Sequence, residues 1–243
     1  MTDGITEKLQ IMNRNGNTYT VLYAAIMVVF VAALLAFASM SLKPRQVRNV
    51  EIEKKQSILA SVNIESTPAN AEDLYAQKIV KEYVVDVKGD QVEGDAFNTD
   101  LKKEHSKPKD QMHLPVFECQ TDDGLKYVLP LRGTGLWGPI WGFISLDQDM
   151  NTIYGANFGH QGETPGLGAE IATTAFEKQF IGKKLFDDSD KLVSIMVAKV
   201  GQEAPVEHKV DGISGGTITS KGLQKMLLDD FTNYEGFLNK KKS

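Results

Sequence analysis

Cysteine is almost absent from this 243-residue chain, where Cys119 stands alone. A single thiol cannot close an intrachain disulfide, and it cannot supply the ligands of an iron–sulfur cluster or a cysteine-rich zinc site. An excess of positive charge is missing too. The chain has 27 Lys and Arg against 32 Asp and Glu, a formal net charge of −5. That balance argues against a nucleic-acid binder, whose surface must neutralise phosphates. HExxH and the GK[ST] ending of a phosphate-binding P-loop do not occur, and no second His or carboxylate stands at metal-ligand spacing around His160. No metal site is expected. With 21 Gly, 8 Pro and 24% charged residues, the composition is too ordinary for a disordered, collagen-like or disulfide-scaffold chain.

One long uncharged run is present. Thr20 to Met40 reads TVLYAAIMVVFVAALLAFASM. At about 1.5 Å per residue it is long enough for the hydrocarbon core of a bilayer. Apolar side chains occupy every face, so the run is not an amphipathic surface helix. Two rivals stay open. One is a signal peptide, given Lys8 and Arg14 before the run and an A-x-A-like Ala36-Phe37-Ala38 near its end, although signal cores are shorter. The other is a buried core helix, which would normally show a polar face. One transmembrane helix is the expectation. Lys43, Arg45, Arg48, Lys54 and Lys55 follow the span, and that bias alone would keep the C-terminal part in the cytoplasm. Long domains, however, translocate largely regardless of charge.

The spacing divides the chain into a tail (1–19), a span (20–40), a helical stalk or linker (41–69) and one domain (70–243). Asn70 can cap a helix over 71–81, and 84–87 reads as a short strand. The polar stretch 88–109 reads as a loop or insertion. Tyr127–Leu131, Ile140–Ile144 and 152–158 are strand candidates, with a turn at 147–151 that makes the last two a hairpin. Leu192–Val200 is a further strand candidate. Helices are expected over 169–180 and 220–238, the latter with Leu223, Met226, Leu227, Phe231, Tyr234 and Leu238 at helical spacing. The fold class is α+β: an antiparallel sheet flanked by helices, preceded by the membrane helix.

Two glycine-rich loops carry the chemistry. Asp211-Gly-Ile-Ser-Gly-Gly-Thr-Ile-Thr-Ser220 opens the C-terminal helix. Its glycines let backbone approach a ligand closely, its hydroxyls add donors, and a helix N-terminus favours an anion. A phosphate is the natural occupant, but an ordinary turn with Thr219 or Ser220 as N-cap also accounts for the spacing. In His160-Gln-Gly-Glu-Thr-Pro-Gly-Leu-Gly168, Pro165 between Thr164 and Gly166 suggests a rigid turn forming a pocket wall.

Asp211-Gly-Ile-Ser-Gly-Gly-Thr217 resembles the D-G-x-[ST]-G-A-T motif of domains that carry FMN covalently, and Gly162–Gly168 resembles their second loop. Leu129-Pro-Leu-Arg-Gly-Thr-Gly-Leu-Trp137, the stalk from Lys43 to Leu59 and Ile181-Gly-Lys-Lys-Leu-Phe186 are similar to the NqrC subunit of the sodium-translocating NADH:quinone oxidoreductases. The resemblance runs from the anchor to the last helix. The flavin subunit of Rnf-type ferredoxin:NAD oxidoreductases is the neighbouring family, disfavoured by Gly133–Trp137 and by chain length. Gly216 stands where the family usually has Ala, which removes bulk without blocking attachment.

The resemblance implies one FMN per chain, esterified through its phosphate to Thr217 by a dedicated flavin transferase. Ser214, Gly215, Gly216 and Thr219 would line the phosphate. Glu163, Thr164, Gly166 and Leu167 would approach the flavin from the second loop, with Leu136 and Trp137 as further contacts. No residue of the chain is expected to be catalytic by itself. The implied role is an electron-relaying subunit of a membrane complex that oxidises NADH, reduces ubiquinone or menaquinone and translocates sodium, working with the complex's other subunits. The implied location is the bacterial inner membrane, with the flavin domain periplasmic. A membrane-anchored module for a noncovalent ligand and a purely structural assembly subunit are the alternatives.

Overall fold

The computed structural model describes residues 16–199 and 201–242. The chain divides into two compact units after Glu51. Helix α1 (Asn17–Ser61) contains the apolar run, and Val21, Val28, Phe37 and Met40 on its different faces are all exposed. It is long and apolar enough to cross a membrane. Lys8 and Arg14, the basic residues before the run, lie outside the described residues.

In the second unit, α2 (Ala71–Lys78) is followed by β1 (Ile79–Val85), β2 (Gln91–Val92), α3 (Leu101–Glu104), β3 (Leu114–Thr121), β4 (Gly124–Thr134), β5 (Pro139–Leu146) and β6 (Ile153–His160). These six strands form one sheet in the order β2-β1-β3-β4-β5-β6, antiparallel throughout. After α4 (Thr174–Glu177), strands β7 (Met196–Ala198) and β8 (Lys209–Asp211) pair in parallel. Helix α5 (Thr217–Lys242) ends the chain.

Both faces of the sheet are covered, which is why Tyr127–Leu131 is an unbroken apolar run rather than an alternating one. Tyr127, Leu129 and Leu131 point to the face that α5 covers with Leu223, Met226, Leu227, Phe231 and Tyr234. Val128, Phe117 and Phe143 point to the other face, against Ile58 and Leu59 of α1 and Tyr75 of α2. The expected α+β class, an antiparallel sheet flanked by helices, is what the chain adopts.

Two prolines interrupt the middle of the sheet. The β3–β4 ladder stops at Phe117↔Val128, short of Pro115 and Pro130, neither of which has an N–H to donate. Helix α5 fills this gap. The Tyr234 hydroxyl donates to the Pro115 carbonyl at 2.7 Å. Asp230, one turn earlier, accepts the Arg132 N–H at 2.8 Å and pairs with His105 at 2.9 Å. The polar insertion 88–109 is thereby tied to the core.

The sheet's two edges are partly covered. Strand β2 has two residues. On β6, the Glu177 carboxylate accepts the Phe158 N–H at 2.7 Å, and the Lys183 carbonyl accepts the Ile153 N–H at 2.8 Å.

Several local expectations are corrected. The first helix of the domain stops at Lys78, not residue 81, because the β-branched pair Ile79-Val80 is drawn into β1, where Ile79 pairs with Cys119. Asn70 precedes α2 without capping it. Its side chain turns back and accepts the Thr67 N–H at 2.7 Å. The expected helix over 169–180 is three short pieces, a 3-10 turn at Gly168–Ala172, α4, and a second 3-10 turn at Lys178–Phe180. Thr173 breaks it by adopting an extended conformation to cap α4. Of the strand expected over 192–200, only β7 is regular, since Ser194 at φ 60° bends the chain just before it; Val200 lies outside the described residues. The last helix begins at Thr217 and runs to Lys242. Thr219 and Ser220 therefore lie in its first turn and are not its N-cap.

Candidate flavin site

Three connections converge at the N-terminus of α5. The β8–α5 loop brings the acceptor motif. Its chain turns between Ile213 and Gly216, whose N–H donates to the Ile213 carbonyl at 3.0 Å. Gly215 has φ +76°, a conformation that costs glycine nothing and other residues about 1 kcal/mol or more. The Gly216 carbonyl accepts the Ser220 N–H at 2.8 Å and so begins the helix. The Ser220 hydroxyl folds back to accept the Ile213 N–H at 3.2 Å. The N–H groups of the first turn have no acceptor within the helix and point out of its end.

The β6–α4 loop brings Glu163, which is 4% exposed. Its Oε2 accepts the Thr219 hydroxyl at 2.5 Å, and its Oε1 accepts the Trp137 N–H at 2.8 Å from the β4–β5 loop. The Glu163 N–H donates to His160 Nδ1 at 3.2 Å, so these two residues meet through the backbone. Burial pushes the Glu163 carboxyl upward. The donors from Thr219, Trp137 and Leu136 outweigh burial and hold it below the usual carboxylate range, ionised at neutral pH. Two glycines make room for it. A Cβ on Gly135 would lie 2.6 Å from Glu163 Oε1, and one on Gly168 would collide with Glu163 Oε2 and the Thr219 hydroxyl.

The convergence leaves a cavity of about 220 Å³. Among the residues expected in the site, Leu136, Glu163, Thr164, Leu167, Gly215, Gly216, Thr217 and Thr219 line it. Gly166, Ser214 and Trp137 lie just outside. The Gly166 N–H turns to Glu170 Oε1 at 3.0 Å, Ser214 is exposed, and Trp137 is 69% exposed on the rim. Gly168, the end of the loop expected beside the flavin, lines the cavity too, and Ile218 lines it without having been singled out from the sequence. Gly168 ends the Gly162–Gly168 motif, and a side chain there would collide with Thr219. Ile218 follows Thr217 directly. Thr217 itself is exposed.

The cavity offers a place for an anionic group bordered by apolar surface. A helix start and glycine backbone face its interior, a threonine hydroxyl stands at its mouth, and exposed Leu136, Leu167 and Ile218 surround it with apolar surface. A larger cavity of about 640 Å³ lies elsewhere, between Gln56, Asn63, Asn157 and Glu177. None of the expected site residues lines it.

This combination defines an FMN-binding domain, and residues 135–229 match the family of that description. Relatives extend the match over most of the chain. The NqrC subunit of the Na(+)-translocating NADH-quinone reductase of Vibrio vulnificus (strain YJ016) is 34% identical, covering 79% of this chain and 81% of the relative. The crystal structure of the same subunit from Parabacteroides distasonis superposes with a TM-score of 0.76 at 46% identity, covering 81% of this chain and 96% of that one. The crystal structure of NqrC from Shewanella oneidensis superposes with a TM-score of 0.66 at 27% identity, covering 79% and 97%. The chain belongs to the NqrC family of the Na(+)-translocating NADH-quinone reductases. It is a flavoprotein subunit of an oxidoreductase complex rather than a complete enzyme.

Proposed function

We propose that this subunit carries one FMN joined through its phosphate to the Thr217 hydroxyl and relays electrons between redox centres of the complex. The placement of Thr217 carries the reading. It is exposed at the first residue of α5, beside a cavity walled by the loops 162–168 and 212–216. Esterification joins Thr217 Oγ1 to the phosphate with net loss of one water. The helix start and the glycine N–H groups then face the remaining phosphate oxygens. Thr219, Ser214, Gly215 and Gly216 surround the phosphate. Thr164, Gly166, Leu167, Leu136 and Trp137 border the ring. When bound, the flavin supplies one- and two-electron redox chemistry, and the protein sets its position, polarity and exposure.

The open mouth of the cavity supports attachment by a separate flavin transferase, which must reach Thr217. The apolar faces of α1 over 20–40 support a single-pass membrane anchor. In this reading, which rests on the family resemblance, the membrane is the bacterial inner membrane, with a stalk over 41–69 and the flavin domain, 70–243, periplasmic. The partners are the remaining subunits of the complex.

The test is the intact mass of the denatured protein, purified from cells that contain the transferase, followed by peptide mapping. A gain of one FMN minus water on the Thr217 peptide, lost in Thr217→Ala, is the expected result. An unmodified mass would leave a noncovalent or structural role. Covalent FMN retained in Thr217→Ala would move the attachment site.

A further inference from the structure

Building on the assignment of FMN to this cavity, we propose that Glu163 is a positioning residue that also selects by charge. It staples the three loops together before the flavin arrives and repels free FMN, so that the flavin stays through its bond to Thr217 and not through the affinity of its phosphate.

The staple is visible in the bonding. Both Glu163 oxygens are taken by protein donors, Trp137 N–H on one and the Thr219 hydroxyl on the other. The residue therefore holds the β4–β5 loop against the first turn of α5. The glycines at 135 and 168 leave room for this carboxylate and little else.

The charge selection follows from what lines the cavity. Among the described residues, Glu163 is the one lining residue with a charged side chain, and no Lys or Arg lines the phosphate position. The first turn of α5 carries no acidic residue, so the helix end alone offers about half a positive charge. The ionised Glu163 carboxylate, bonded to that same turn, opposes it with a full negative charge. A phosphate monoester such as free FMN bears about −1.5 to −2 at pH 7. Esterified to Thr217 the same phosphate is a diester with about one negative charge. Attachment thus lowers the repulsion that free FMN meets, and the site favours the attached state over the soluble cofactor.

The test uses the full-length protein in detergent, produced without the transferase and titrated with riboflavin and with FMN while flavin fluorescence is followed. Wild-type protein is expected to bind neutral riboflavin at least as tightly as FMN, with FMN binding improving as salt screens the repulsion. Glu163→Gln keeps an oxygen for the backbone donors and an amide facing Thr219. It is expected to tighten FMN by about tenfold, the effect of one like charge removed at close range, while riboflavin is unchanged. Thr219→Val cuts the staple but keeps the charge. It is expected to reduce covalent FMN incorporation in cells with the transferase. Wild type binding FMN tenfold tighter than riboflavin would overturn the proposal whether or not the variants fold. So would Glu163→Gln weakening both flavins equally. If neither flavin binds and no covalent flavin forms, the FMN assignment fails with it. Normal covalent FMN on Thr217 alongside a Glu163→Gln variant whose FMN affinity matches wild type refutes the charge selection alone.

Discussion

Replacing Asp230 by Ala tests how helix α5 is fastened to the broken part of the sheet. Asp230 is 1% exposed, and its two oxygens take the Arg132 N–H at 2.8 Å and His105 at 2.9 Å. Breaking a buried ion pair from one side costs about 3–5 kcal/mol when the other charge is stranded. Here the stranded partner can discharge, because His105 simply gives up its proton, and its side chain is 24% exposed. The Arg132 N–H has no such escape. A lost hydrogen bond to a charged group is worth about 1.5–3 kcal/mol, and the small void left by the carboxylate adds to it. The expected loss is about 3 kcal/mol. For a domain of this size that lowers Tm by roughly 6–12 °C. Asp230→Asn keeps an acceptor for Arg132 and an amide for neutral His105, so its loss should be about 1 kcal/mol. Circular dichroism melts of the full-length protein in detergent at pH 7 read both values. An Asp230→Ala variant within about 0.5 kcal/mol of wild type would refute the account of the gap, and so would an Asn variant as unstable as the Ala one.

Three further outcomes are expected. Asp230 raises the His105 pKa through their ion pair, against burial. A raised histidine contributes stability that is complete below its unfolded value of about 6.5 and is lost as pH climbs through the higher folded value. Melts taken upward from pH 6.5 should therefore decline in wild type and flatten in His105→Gln; parallel curves would contradict the pairing. Gly168→Ala places a Cβ against the Thr219 hydroxyl and Glu163 Oε2. It should cut covalent FMN by more than half, read by intact mass, and normal loading would show that the staple is dispensable. The Cys119 thiol is buried and pushed up to about 11. It should resist alkylation at pH 8 until the protein is denatured, and rapid labelling of the native protein would contradict its burial.

Much of the fold was legible because its strongest signals are local. The uncharged run, the β4–β5–β6 strands around a clear turn and the stripe on α5 each declare themselves within about a dozen residues. What stayed hidden depends on partners distant in sequence. Nothing near Pro130 predicts that Tyr234 and Asp230 would fill the ladder it interrupts. Helix α2 yields Ile79 to β1 only because Cys119 waits opposite. The rupture of 169–180 follows from Thr173 preferring to cap α4. At the site, the glycine motifs placed most of the lining residues. The sequence did not show that Glu163, expected beside the flavin, spends both its oxygens on Thr219 and the β4–β5 loop. That role exists only once three loops meet.

The guarded sheet edges have a consequence for life in a crowded membrane complex. An open strand edge is a template onto which a neighbour's strand can add, the first step of many aggregates. On one side the two residues of β2 cover Val84 and Val85 of β1. On the other side, β6 has its Phe158 donor occupied by Glu177 and its Ile153 donor by Lys183. Glu177 is partly buried, and burial raises its pKa despite the N–H it accepts. The chain keeps a carboxylate there at some cost to itself. Such a plug removes the Phe158 donor from the set a neighbouring strand could use.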